Sequence, residues 1–292
     1  MPEQRQRVRI AVIGHVEHVT LGRVATLPAP GDIVHLDDPL WIPGGGGGVA
    51  FFQLVRSPAE VHLFTAIGND SGGDAIAERI ESTGAAIHAV RRPLPHTRDV
   101  VLVTPGGERT IVVIGKPLQP HHDDPLSWEL LGTCAAAYFT ARDPALIRAA
   151  RAARVLVVSA RRAAALVRSG VAADVVVGSG LDPAEASTLA DYPTPPRAVV
   201  MTEGDAGGRI ETRDGRRRFA APPAPSAHGT AYGAGDSFAA ALTWYLACGL
   251  AVPQACTRAA AHGAAVLAGA SPLESQLALD WPGTPETRTR ER

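Results

Sequence analysis

Three short stretches constrain the architecture most tightly: "VLVVS" (155–159), "DVVVG" (174–178) and "AVVMTEG" (198–204). Each carries an apolar run without alternation, too short for a helix, and helix-like spacers separate them. Such a run fits a strand covered on both faces, as in a parallel sheet. "VRIAVIG" (8–14), "VHLFTAIG" (61–68) and "CAAAYFT" (134–140) read the same way. Helical patterns lie between the strands. "GGDAIAERIESTG" (72–84) carries Ile76 and Ile80 and stops at Gly84, and "DPALIRAARAAR" (143–154) opens on an Asp-Pro cap. Strands alternating with helices predict a doubly wound α/β sheet with right-handed crossovers.

Two segments break that rhythm. Residues 16–45 are polar and punctuated by proline, with short β-like runs, and "DVVLVTPGGERTIVVIG" (99–115) is a hairpin about a Gly-Gly turn. Together they predict a small β appendage over one edge of the sheet. A second hairpin, "GRIETRDGRRRFA" (208–220), turns at Asp214-Gly215. We expect one domain over 1–281. The tail "PGTPETRTRER" (282–292) has no apolar periodicity and is expected to be mobile.

The net charge of −1 leaves no electrostatic footprint for nucleic acid or an anionic membrane surface. No uninterrupted apolar stretch reaches the roughly 18 residues a membrane span needs. The first apolar run ends too soon, at Gly14, for a signal peptide. Cys134, Cys248 and Cys256 show no metal-ligand spacing and read as small buried hydrophobes in a reducing, cytoplasmic setting. Lys116 is the sole lysine, and no G-x-x-x-x-G-K-[ST] phosphate loop is present.

In open α/β sheets ligands sit beyond the carboxyl ends of the strands. Polar or glycine-rich turns fall there at Gly14, Gly44–Gly48, Gly68–Asp70, Thr202–Gly204 and Gly233–Asp236. The last, within "AYGAGDSFAAAL" (231–242), is the most specific. Phe238, Ala241, Leu242, Tyr245 and Leu246 recur at helical spacing, so a helix begins near Gly235–Ser237 and ends at Gly249. Its first turn offers unpaired N–H groups and positive potential, and glycine lets an anion approach them. A carboxylate there repels a phosphate unless its task is to take a proton. On these residues alone, Asp236 is either a proton acceptor or a plain helix cap.

"YGAGDSFAAAL" resembles the C-terminal signature of the ribokinase-like sugar kinases, the phosphofructokinase-B family, whose usual form is D-T-x-G-A-G-D-x-F. The likeness runs along nearly the whole chain. "GGGGGVAFFQLVR" (44–56) stands where the family carries its first glycine signature, and "TAIGNDSGGDAI" (65–76) resembles the segment after it. "PGGERTIVV" (105–113) resembles the lid hairpin. "VMTEGDAGG" (200–208) and "AAHGAAVLAGASP" (260–272) resemble the segments along the nucleotide. The resemblance implies a three-layer α/β/α sandwich with a mostly parallel central sheet and a small β lid, formed by about 16–45 and 97–115. It implies an ATP- and Mg²⁺-dependent kinase for a sugar or sugar-like polyol. Asp236 is then the general base, and the Gly233, Ala234 and Gly235 amides are the anion hole. Thr202, Gly204 and Gly207 border the nucleotide, with His262 near the adenine. Glu185, in "DPAE" (182–185), organises Mg²⁺ through waters, although Asp182 before Pro183 is also a good helix cap. Glu17, Gly45, Gly46, Gly47 and Arg98 fall on the acceptor side. Relatives often pair lids, so a homodimer is expected.

The departures are as informative. Thr230 and Ala231 replace the leading Asp-Thr, which removes a carboxylate used at a monovalent-cation site in many relatives. The sugar-gripping N-x-D after the first strand is missing from "GHVEHVT" (14–20), and Gly46 and Val49 replace a lysine and an asparagine. The acceptor is therefore expected to be a modified sugar, a nucleoside or another polyol rather than ribose or fructose in the usual pose. Arg98 and Arg109 could meet an anionic group on it, with a solvated strand face as the plainer reading of Arg109. A nucleotide-binding protein without turnover is the alternative to a kinase. A dinucleotide-dependent oxidoreductase is set aside, because "GHVEHV" is no G-x-G-x-x-G.

Overall fold

The computed structural model describes residues 8–223 and 229–283. Of the expected tail, residues 284–292 lie outside the described residues. The chain runs through β1 (Arg9–Ile13), β2 (Glu17–Arg23), β3 (Asp37–Gly44), α1 (Gly45–Leu54), β4 (Glu60–Gly68), α2 (Ser71–Glu81) and β5 (Ala86–Arg92). It continues with β6 (Arg98–Val103), β7 (Arg109–Ile114), β8 (Ala136–Phe139), α3 (Pro144–Ala150), β9 (Val155–Ser159), α4 (Ala163–Ser169) and β10 (Val175–Ser179). The last elements are β11 (Ala198–Thr202), β12 (Gly208–Thr212), β13 (Gly215–Phe219), α5 (Ala234–Ala247), α6 (Val252–Val266) and the short α7 (Pro272–Ser275).

The large sheet has the order β13-β12-β11-β10-β9-β8-β1-β4-β5. It is parallel from β11 to β5 and ends in an antiparallel pair, β12 and β13. Side chains on β1 alternate between two cores. Ile10 and Val12 join the core that holds residues of α1, α2, α5 and α6, whereas Ala11 and Ile13 join the core that holds residues of α3 and α4. Both faces are covered, which is why the strands read as unbroken apolar runs. β5 escaped that reading. It is a partly exposed edge strand, "AIHAVRR", with polar residues at three of its seven positions.

Strand order reverses at β1. The chain steps outward to β4 and β5, then returns to β8 on the other side and proceeds to β11. A crevice opens outside the carboxyl ends of the strands at such a switch point. The link after β1 leads into a second sheet of order β3-β2-β6-β7, so the segments about 16–45 and 99–115 meet as one β layer.

The Gly44–Gly48 tract, expected as a turn, is instead the first turn of a helix. Close approach explains the composition. A Cβ on Gly47 would lie 2.6 Å from the His15 carbonyl oxygen and 2.9 Å from the Gly14 carbonyl carbon. Asp182 caps no helix. Its Oδ1 accepts the Ala184 N–H at 2.9 Å within an isolated turn. Cys134 and Cys256 are buried and all three thiols are free. Among the described residues no helix is long and apolar enough to cross a membrane.

Candidate active site

Asp236 stands in the first turn of α5, at the switch-point crevice. Gly233 caps this helix with φ of 80°. A side chain there would be strained, and its Cβ would fall 2.9 Å from Pro272 Cβ and 3.0 Å from Val49 Cγ1. The Ala234 N–H makes a long contact of 3.3 Å to the Ala231 carbonyl. The amides of Gly233, Gly235 and Asp236 meet no acceptor among the described residues, and no atom lies within 4 Å of where a Gly235 Cβ would be. Unpaired amides on open ground at a helix N-terminus suit an oxyanion.

The Asp236 carboxylate faces the start of α1. A Cβ on Gly46 would lie 3.1 Å from Asp236 Oδ1, 3.1 Å from Thr140 Oγ1 and 3.6 Å from His15 Cε1. The Tyr138 hydroxyl is close enough to favour the ionised form of Asp236. Burial first, then the Glu185 charge, raises the Asp236 pKa from 3.8 to about 6, against the opposing pull of Arg109, Arg161 and Tyr138. A carboxylate so placed is ionised at neutral pH yet basic enough to take a proton.

The first amides of α1 are engaged by the protein itself. Gly45 donates to the Tyr232 hydroxyl at 2.9 Å, Gly46 to His15 Nε2 at 3.3 Å and Gly47 to the His15 carbonyl at 3.0 Å. His15 is neutral here. Burial, followed by the charges of Arg162 and Arg142, lowers its pKa to about 3. Glu17 approaches within 3.1 Å of where a Gly45 Cβ would be and has the Asp99 carboxyl, on β6, as a neighbour. Burial and that neighbour raise the Glu17 pKa to about 9, and burial raises that of Asp99 as well. Asp99 is 2% exposed. It arrives because β6 pairs with β2 in the register Val19–Asp99.

The structure thus brings Asp236, Gly233–Gly235, Gly45–Gly47 and Glu17 together. Glu185 is close enough to act on Asp236, but it is gripped by Arg161 at 2.5 Å, and Arg161 also holds Asp182 at 2.6 Å. Among the described residues no group of three or more His, Cys, Asp or Glu is arranged to hold a metal ion. Thr202, Gly204 and Gly207 lie at the end of β11. Thr202 Oγ1 donates to the Gly178 carbonyl at 3.3 Å, and Gly204 and Gly207 have φ of 62° and 81°. Arg98 is at the rim, half exposed, 3.5 Å from Asp70 Oδ2. His262 is not with the cluster. It is buried between α5 and α6, with Nε2 3.2 Å from the Tyr245 hydroxyl, and burial lowers its pKa to about 4. Its neighbour Gly263 approaches the helix start instead, with a would-be Cβ 3.2 Å from the Ala234 carbonyl.

Reading by motif missed His15, Asp99, Tyr138, Thr140, Arg162 and Tyr232. Tyr232 lay inside the quoted signature, and an aspartate opening an apolar strand was a visible oddity. The others have no local signal, because strand pairing puts them here.

Comparison with solved structures defines the fold. Ribokinase from Thermotoga maritima is 18% identical, with a TM-score of 0.74, covering 93% of this chain and 96% of its own. A ribokinase from Arabidopsis thaliana, solved with ribose and ATP, is 14% identical with a TM-score of 0.72 over 93% of this chain and 96% of its own. The Burkholderia thailandensis nucleoside kinase, solved with inosine, is 13% identical with a TM-score of 0.73 over 92% and 93%. The chain has the ribokinase fold. Residues 173–276, which include Gly233–Asp236, match the model of the pfkB family carbohydrate kinases, in line with the resemblance read from that part of the sequence. No curated protein matches the chain in sequence.

Proposed function

We propose that this protein is a kinase that transfers the γ-phosphate of ATP to a hydroxyl of a sugar, nucleoside or related polyol. The observation that carries this reading is the position of Asp236, between open amides at the start of α5 and the buried turn at the start of α1. Asp236 accepts the proton of the attacking hydroxyl. The Gly233 and Gly235 amides, with Ala234 beside them, stabilise negative charge on the transferred group. Thr202, Gly204 and Gly207 flank the nucleotide. Glu185 suits a hydrated Mg²⁺, since that ion binds through one or two carboxylates and keeps its waters, and the ion would neutralise phosphate charge. Glu17 and Gly45–Gly47 face the acceptor, with Arg98 at its rim. His262 acts behind the adenine side, through its packing on Tyr245. The small sheet closes over the acceptor as a lid.

The test is Mg·ATP-dependent phosphorylation across a panel of sugars, nucleosides and polyols, beside Asp236→Asn. Turnover that the variant loses while it still binds ATP supports the reading. ATP binding without turnover on the whole panel points to a nucleotide-binding protein without catalysis, and absent nucleotide binding overturns both.

A further inference from the structure

Arg162 is a buried cation that makes no ion pair among the described residues. It lies between β9 and α4, at the carboxyl end of the sheet, and is 9% exposed. Its Nε donates to the Thr140 carbonyl at 2.7 Å. Among the described residues its terminal nitrogens meet no acceptor and no carboxylate stands within ion-pair distance. Its neighbour Arg161 holds both Asp182 and Glu185. Arg142, on the turn after β8, is exposed and likewise has no carboxylate partner among the described residues. The two guanidinium charges repel one another, and both act on His15. An unpaired buried charge beside a like charge is costly to hold, so such a pair is kept where a counter-charge arrives.

The place of that counter-charge is defined by the neighbours. Arg162 acts on His15, Tyr138 and Glu17, the groups on the acceptor side of Asp236. The acidic group of that set, Glu17, makes no ion pair with it, and burial and Asp99 raise the Glu17 pKa to about 9. Arg98 cannot serve as well, since it is half exposed beside Asp70. A guanidinium presents a planar fork of donors that matches a carboxylate or a phosphate.

We propose that Arg162, assisted by Arg142, binds an oxyanion carried by the acceptor, so that the substrate is an anionic polyol: a sugar acid or a sugar phosphate. The substrate half of this statement rests on the kinase reading, and the anion site does not.

The experiment titrates the intact protein with gluconate against glucose, and fructose 6-phosphate against fructose, by calorimetry. The same four compounds are then offered with Mg·ATP. At least one anion should bind about tenfold or more tightly than its neutral counterpart, and which one distinguishes carboxylate from phosphate. Arg162→Gln and Arg142→Gln should each weaken that binding about ten- to a hundredfold, while Arg168→Gln, an exposed change on α4, leaves it alone. Arg142 is at the surface, so its variant decides the matter if Arg162→Gln does not fold. Equal binding of neutral and charged compounds, binding of neither anion, or an affinity that both folded variants retain would each overturn the proposal. Anion binding by a protein that phosphorylates nothing on the wider panel would instead sink the kinase reading and leave the site standing. Neutral sugars phosphorylated with a KM that neither variant moves would do the reverse.

Discussion

Asp236 holds a charge where burial opposes it, and that conflict sets two expectations. As a base it must be ionised, so kcat/KM should climb with pH through about 6 and level off above it, read as a pH–rate profile on a turned-over acceptor. Asp236→Asn should lower kcat by about two to four orders of magnitude with ATP binding retained. The same substitution should stabilise the fold at alkaline pH. The folded pKa lies above the ordinary 3.8, so the native state binds the proton more tightly than the unfolded chain. This group's contribution to stability is therefore greatest in acid and declines as pH rises through about 6. The melting temperature of Asp236→Asn minus that of the parent should grow from pH 5 to pH 8, and a difference that shrinks would contradict the buried-carboxylate reading. Asp236 was legible because its glycine neighbours and the helix behind it are contiguous in sequence. Arg162 was not, because it follows a strand distant along the chain, and Asp99, though odd at the head of an apolar strand, takes its place only through register, which cannot be read from one strand alone.

Among the elements, the two helix starts contrast in what their glycines do. At Gly47 the β1–β2 link presses on the helix, so Gly47→Ala should cost about 1–3 kcal/mol in urea unfolding. At Gly235 the space is open, so Gly235→Ala should keep its melting temperature while kcat falls, because the new methyl stands where the transferred group would lie. Equal loss of stability at both sites would mean that the α5 glycines serve packing alone. This asymmetry also explains a limit of sequence reading. The strands were readable since burial on both faces writes itself as apolar runs. α1 was hidden because a run of glycines has no periodicity and poor helix propensity, and close contact with the β1–β2 link fits it to its place.

For the whole molecule, the β7 edge stands out. Ile111, Val112, Val113 and Ile114 are consecutive and 40–50% exposed, so both faces of an edge strand are apolar and open. A bare edge of this kind invites pairing. We expect a homodimer through the small sheet. Sedimentation should show a dimer that Val113→Lys converts to monomer, and a parent that sediments as a monomer at micromolar concentration would remove this expectation.

The Tyr232 hydroxyl that accepts the Gly45 N–H lies one residue before the cap of α5. One phenol thus ties the phosphate end of the crevice to its acceptor end. We expect the two ligands to be thermodynamically coupled: whichever enters first orders part of the other's site, and the enhancement must be the same in either order of addition. Tyr232→Phe should bring that ratio toward one, measured as acceptor affinity with and without a non-hydrolysable nucleotide. A ratio unchanged in the variant would show that the two ends of the crevice are filled independently of this link.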